Sequence, residues 1–338
     1  MIPVAPVDHR YSRCFTGALA VSVALCATVA VAGRDPEPPP PFALDVAVRE
    51  GVAYAAWSNG LVTVDVRAPE KPEEIGRLEL RASLHGIALD GPRAVVAAGS
   101  HGLLIVDISD PAEPEPLSRL DTSGSARAVV SAPPYAYVAD GAGGLLVVDL
   151  RDPRRPRRIA SWSTRSQIRG VAAGGGALVT AEGGAGARLF DLRRPDRPIE
   201  LGPVDPTVHA LDVAIVPPWI AIAAPRGELR VYRLDDRLRP TLERSVTLAG
   251  EIDSLGAAGE HVWVACGERG GWWIDLSWST PPVEIALPGR VPAGRGDWVD
   301  GTLVLAAGSA GLAIVEVPEG SPPRVLVPRE HSIRIEWE

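Results

Sequence analysis

The sequence predicts an all-β protein, a single seven-bladed β-propeller of four-stranded antiparallel blades, and two observations carry that expectation. A glycine followed by an apolar tract ending in aspartate returns about every 42 residues, and helical periodicity is absent from the repeated region. A period near 42 with four short β signals per unit lies in the range of propeller blades. Composition permits the fold: 46% of the 338 residues are hydrophobic, enough for a packed core, and the 35 glycines and 33 prolines are turn-formers in a chain that is neither collagenous nor disordered.

Residues 1–32 read as an export signal. Arg10 and Arg13 precede an uncharged apolar run from Cys14 to Ala32, and Ala30-Val31-Ala32 places small residues where a signal peptidase reads, so cleavage after Ala32 is the first expectation. The run is also long enough to stay as an uncleaved membrane anchor. Cys26, in Val23-Ala24-Leu25-Cys26, faintly resembles a lipoprotein signal, with Leu25 standing where such signals want a small residue. Residues 33–42 form a proline-rich linker, and residues 43–338 are assigned to the propeller. Beyond residue 32 the only cysteine is Cys266, so no disulfide within the mature chain is possible.

The motif appears as Gly60-Leu-Val-Thr-Val-Asp65, Gly102-Leu-Leu-Ile-Val-Asp107 and Gly144-Leu-Leu-Val-Val-Asp149. Looser copies begin at Gly186, Gly227, Gly270 and Gly311, making seven in all, each 41 to 43 residues from the last. Within one unit, His85 to Leu89 is a first strand and Ala94 to Ala98 a second. Leu103 to Ile108 makes a third, Pro111 to Pro116 an irregular corner, and Leu117 to Asp121 a fourth. Such a sheet alone leaves two apolar faces unburied; stacking seven around an axis buries both and closes the array. Small residues such as Ala97, Ala98 and Ala139 suit the crowded centre, and Trp57, Tyr137, Trp162 and Trp263 suit the wider gaps.

The tract Leu103-Leu104-Ile105-Val106-Asp107, the segment Tyr135-Ala136-Tyr137-Val138-Ala139-Asp140-Gly141 and the following Asp-Pro-x-x-Pro resemble the LVIVD repeat family. The likeness is strongest in blades two and three and fades where Tyr232 and Glu316 replace the aspartate. The resemblance implies a secreted or surface-attached bacterial or archaeal β-propeller and brings no catalytic motif with it.

Asp65, Asp107, Asp149, Asp191 and Asp275 end third strands, where a carboxylate accepts backbone N–H bonds from the turn and proline stiffens the corner. A ring of calcium sites is the rival account. It is disfavoured because the neighbours are Arg151 and Arg193 as often as acids. The glycine runs 141–144 and 183–186 join strands and open no helix, so they are hairpin turns rather than phosphate loops.

Aligning the repeats puts His85 level with Arg127 and Arg169 at the head of the innermost strand, with Leu44, a position near Leu211, Asp253 and, by a count of 42 on from Asp253, Arg295 at the other blades. His209 lies two residues before Leu211. His85, Arg127, Arg169, His209, Asp253 and Arg295 are therefore the candidate ligand-binding residues, a channel-mouth ring for an anion or acidic peptide. No catalytic residues, metal ligands or cofactors are assigned. Cys266 reads as a buried structural thiol, and one of the adjacent Trp272 and Trp273 is expected to be exposed. Residues 333–337 alternate like a strand that latches the ring.

A net charge of -8, with Lys71 the only lysine, argues against nucleic-acid binding. Two function classes follow. One is an exported, non-catalytic platform, periplasmic or at the cell surface, that binds a protein or surface glycan. The other is a lactonase-like hydrolase with a metal-dependent site over the channel. A monomer is expected, because ring closure leaves no long free edge, and contact with a membrane only through an uncleaved anchor or lipid.

Overall fold

Each Gly-apolar-Asp tract forms the third strand of a blade, and its apolar continuity has a simple cause: a central strand between two neighbouring blades is buried on both faces. In the computed structural model the described residues are 42–267, 269–287, 294–299, 301–309, 311–316 and 324–325. They form seven four-stranded antiparallel sheets, each built from consecutive strands. Blade 1 comprises β1 (Ala43–Arg49), β2 (Val52–Trp57), β3 (Gly60–Asp65) and β4 (Glu73–Glu79), and blade 2 comprises β5 (Gly86–Asp90), β6 (Arg93–Ala97), β7 (Leu103–Asp107) and β8 (Glu115–Leu120). Blade 3 is β9 (Ala128–Ala132), β10 (Tyr135–Ala139), β11 (Leu145–Asp149) and β12 (Arg157–Trp162); blade 4 is β13 (Gly170–Gly174), β14 (Ala177–Ala181), β15 (Ala187–Asp191) and β16 (Ile199–Asp205). Blade 5 is β17 (Asp212–Val216), β18 (Trp219–Ala224), β19 (Glu228–Leu234) and β20 (Pro240–Thr247). Blade 6 is β21 (Ser254–Ala258), β22 (His261–Ala265), β23 (Gly271–Asp275) and β24 (Val283–Ile285), and blade 7 is β25 (Gly296–Val299), β26 (Thr302–Ala306), β27 (Leu312–Glu316) and β28 (Arg324–Val325).

The expected strand bounds shift by a residue or two. The fourth strand of blade 2 begins at Glu115, inside the expected corner, and passes through Pro116. Proline is tolerated because this is an outer edge strand, where the N–H it lacks has no partner to lose. A register shift interrupts the pairing of the third and fourth strands in blades 1 to 5, leaving Ile75, Leu117, Ile159, Leu201 and Glu243 each without a facing residue. A bulge repeated on every such edge twists it away from pairing with another chain.

The core is divided among the gaps between blades. Alternate residues of one strand serve opposite gaps: Ala94 and Val96 of β6 pack toward blade 1, Val95 and Ala97 toward blade 3. The large aromatics fall where expected, with Trp57 between blades 7 and 1, Tyr137 between 3 and 4, and Trp263 between 6 and 7. Trp162 is half-buried, edge-on to Phe190 with ring centroids 5.5 Å apart. Trp273 is buried and Trp272 half-buried, so neither is fully exposed.

The proline corners of blades 2, 3 and 4 fasten each of these blades to the one before it. Thr63 Oγ1 donates to Pro111 O at 2.5 Å, Ser118 Oγ to Pro153 O at 2.5 Å and Tyr137 OH to Pro195 O at 2.8 Å. Blade 7 meets blade 1 without exchanging a strand among the described residues. Ala43 N–H donates to Gly308 O at 3.0 Å, Val48 N–H to Asp297 Oδ2 at 2.7 Å, and an apolar cluster of both blades fills the gap. The export signal, the linker up to residue 41 and the strand expected at 333–337 lie outside the described residues.

Candidate functional site

The seven inner strands surround a channel of about 420 Å³. Its wall is mostly Val, Ala and Ile, as inward residues of short β-strands must be where blades converge. At one level every inner strand faces an alanine of the second strand: Ala56, Ala97, Ala139, Ala181, Ala223 and Ala265 pair with Asp45, Gly86, Ala128, Gly170, Asp212 and Ser254. In blade 7 the corresponding alanine is Ala306, which like Ala97 faces the first residue of its third strand, and its N–H donates to Arg295 O at 2.8 Å.

Arg295 therefore stands level with Gly86, one step deeper than the ring position that counting by 42 gives it. Ala265 and Ala306 lie 41 residues apart, and the count overshoots by one. At this depth Arg295 Nη2 donates to Asp212 Oδ1 at 2.7 Å. Asp212 Oδ2 accepts the Leu255 N–H at 3.0 Å, joining blade 5 to blade 6. Asp45 accepts the N–H groups of Val46 at 2.9 Å and Ile87 at 3.0 Å, joining blade 1 to blade 2. Gly170 makes room for this arrangement, because a Cβ there would lie 2.1 Å from Asp212 Oδ1. The buried Asp45 and Asp212 and the half-buried Asp297 thus satisfy N–H groups of neighbouring inner strands, while one guanidinium offsets the charge of Asp45 and Asp212.

Burial raises all three carboxyls above their ordinary value, Arg295 opposing the shift at Asp45 and Asp212. Asp45 is pushed up to about 6, with the Asp212 charge adding to the effect of burial. Because the native chain holds that proton more tightly than the unfolded chain, stability falls as pH rises from near 3.8 through 6. Replacing Asp45 with Asn removes this titration. Between pH 4 and pH 7 the wild type is expected to lose about 2.5 kcal/mol relative to the Asp45→Asn variant in denaturant titrations, and a pH-independent difference would contradict the assignment.

The other predicted ring residues lie at the rim. The N–H groups of His85, Arg127, Arg169 and Leu211 donate at 2.8 Å, and that of Asp253 at 2.9 Å, to the alanine of the second strand. They stand at a common level just before the first residue of their inner strands. Arg127, Arg169 and Asp253 are exposed and His85 is half-buried. Burial, then the nearby Arg127 charge, pull the His85 imidazole below its usual value; burial, then Glu251, push Asp253 up. His209 is exposed and lies against the Gly183–Gly184 hairpin of blade 4. The structure thus groups five blade-head positions, with His209 beside them and Arg295 below.

The aspartates ending third strands accept the backbone N–H two residues on: Arg67 at 2.9 Å, Ser109 at 2.9 Å, Arg151 at 3.0 Å, Arg193 at 2.8 Å and Ser277 at 2.8 Å. Side-chain bonds from Arg67, Ser109 and Arg193 hold Asp65, Asp107 and Asp191 below the usual carboxylate range. These are turn-forming roles. Cys266 is buried, and burial pushes its thiol up to about 11, away from the thiolate a nucleophile needs. Among the described residues no group of three or more His, Cys, Asp or Glu is placed to hold a metal ion, and no helix is long and apolar enough to cross a membrane.

Sequence reasoning missed Asp45 and Asp212. The available signal was a carboxylate on an inner strand at the level where the other blades carry Gly, Ala or Ser.

The family model of the LVIVD repeat matches residues 42–79, 84–122 and 123–164, which are blades 1 to 3. Among solved structures the chain is similar to PorZ of Porphyromonas gingivalis, described as an essential bacterial surface component of the type-IX secretion system, at 17% identity and a TM-score of 0.60 over 87% of this chain. The match spans only 39% of PorZ. The β-propeller domain of Cps50 (Swd1) from Myceliophteria thermophila matches at 11% identity and a TM-score of 0.64, covering 82% of this chain and 97% of that one. The computationally designed Ika8 protein matches at 12% identity and a TM-score of 0.62, covering 88% of each. At such identities these likenesses show the fold alone, and no curated protein matches the chain. Repeat pattern, blade architecture and family match together identify a seven-bladed β-propeller that carries LVIVD repeats.

Proposed function

We propose that this propeller is an exported, non-catalytic binding platform, working in the periplasm or at the cell surface, and that the rim of its channel holds an anionic group of its partner. One observation carries the reading. Inside the channel Asp45, Asp212, Asp297 and Arg295 are committed to holding blades together, whereas Arg127 and Arg169 at the rim are exposed and make no ion pair among the described residues. Cations at a concave mouth reinforce one another's field and draw in a compact anion. The apolar run flanked by Arg10 and Arg13 supports export, as does the likeness to a protein described as a surface component.

The test is calorimetry of the full chain with inorganic phosphate and with a short peptide ending in two glutamates. Binding to the wild type and a loss of at least tenfold in the Arg127→Ala/Arg169→Ala variant are expected. Equal affinity of the two proteins would overturn the rim as the site. Recovery of the whole protein in the cytoplasmic fraction of its host would overturn the location.

A further inference from the structure

We infer that the outer flank of blades 3 and 4 is a docking face for an extended segment of a partner protein that combines acidic with apolar residues. This deepens the platform reading and rests on it, but it uses a surface separate from the channel mouth.

The first observation is a local reversal of charge. The whole chain carries a net charge of -8, yet residues 151–169 hold seven arginines against Asp152 alone. Arg151 and Arg157 are drawn to Asp149. Arg154, Arg155 and Arg158 are exposed and form no salt bridge among the described residues, Arg154 acting only at longer range on Asp107 and Arg158 on Asp140. The Tyr137–Pro195 bond seats the corner of blade 4 on blade 3, bringing the exposed Arg194 and Arg197 to the same side. A cluster in which arginines outnumber the carboxylates near them, on an acidic protein, selects for an acidic partner.

The second observation separates a peptide from a simple polyanion. The residue left unpaired by each outer-strand bulge is apolar in blades 1 to 4. In blades 1 and 2 it is covered: Ile75 and Leu117 pack against the clusters of their gaps. In blades 3 and 4 it is not, since Ile159 is 40% and Leu201 45% exposed, with Ile199 beside it at 56%. The same position is thus half-buried against the core where the flank is ordinary and exposed where arginines gather. A bare polyanion has no group that buries Ile159, Ile199 or Leu201, whereas a peptide lying across the flank, held by side-chain contacts rather than by pairing with the bulged edge, presents carboxylates and apolar side chains that match both features.

The experiment uses the full chain and a labelled twelve-residue peptide of alternating glutamate and leucine, with polyglutamate of equal length and a polygalacturonate oligomer as comparators. The alternating peptide is expected to bind more tightly than either comparator, and less tightly as salt is raised. Arg154→Glu/Arg155→Glu/Arg158→Glu should weaken it at least tenfold and Ile159→Ser/Leu201→Ser at least threefold. Circular dichroism verifies folding of each variant, with Arg154→Gln/Arg155→Gln/Arg158→Gln replacing the charge reversal if that protein fails to fold. Equal binding of polyglutamate or polygalacturonate, with no effect of the serine pair, would overturn the peptide in favour of a polyanion. Loss of binding only in the rim variant would overturn the flank and leave the platform reading standing; no binding of any probe would overturn the flank outright.

Discussion

Arg295→Ala is expected to destabilise the propeller by about 3–5 kcal/mol, because it leaves Asp212 and Asp45 buried without the guanidinium that offsets their charge. For a domain of this size that corresponds to a fall in Tm of roughly 5–8 °C, measurable by calorimetry. The two carboxylates cannot both relax by protonation at neutral pH without cost, since each also accepts an N–H from the next blade. The cluster makes a second, sharper demand. If the cost comes from unpaired charge, adding Asp212→Asn to the Arg295→Ala chain should recover part of the loss, whereas two independent sites would give additive losses. Additive losses would show that Arg295 acts through packing alone.

Gly144→Ala should cost about 4 kcal/mol, combining the strain of a left-handed backbone with overpacking. Gly144 has φ of +84°, and a Cβ there would lie 2.1 Å from the carbonyl oxygen of Trp162, the last residue of the fourth strand. The obstacle is backbone, so no side-chain rotation relieves it. The motif's glycine is thus required because the fourth strand ends against it, and the same contact recurs at Gly102 with Leu120 O at 2.3 Å. Chemical denaturation of Gly144→Ala beside Gly91→Ala separates the causes, since Gly91 shares the positive φ, at +56°, but has open space around its Cβ. Equal losses at the two positions would mean that strain alone sets the requirement.

The blades were legible because one repeating pattern carries several physical constraints at once. Gly102 needs a positive φ, Leu103 to Val106 need burial on both faces, and Asp107 needs the N–H of Ser109. All three are local, within eight residues, so spacing alone exposes them. The channel cluster was not legible, because its members come from blades 1, 5 and 7 and meet only when the ring closes. Arg295 was misplaced by one residue for a related reason, as inner-strand level depends on connection length and the connection into blade 7 is one shorter. The bare apolar residues of blades 3 and 4 escaped notice too, since Ile75 and Ile159 look alike in sequence and differ only in what covers them.

The seam between blades 7 and 1 joins residues far apart along the chain, 249 positions in the case of Val48 and Asp297, whereas neighbouring blades elsewhere are joined over intervals such as the 42 between Asp45 and Ile87. Loop-closure entropy grows only with the logarithm of the interval, so bringing the two ends of the ring together costs about 1.5 kcal/mol more than docking any other pair of blades. One or two buried hydrogen bonds offset that difference. Among the described residues the seam is thus closed by the same kind of contact as the other gaps, and the longer interval adds little to what those contacts must supply.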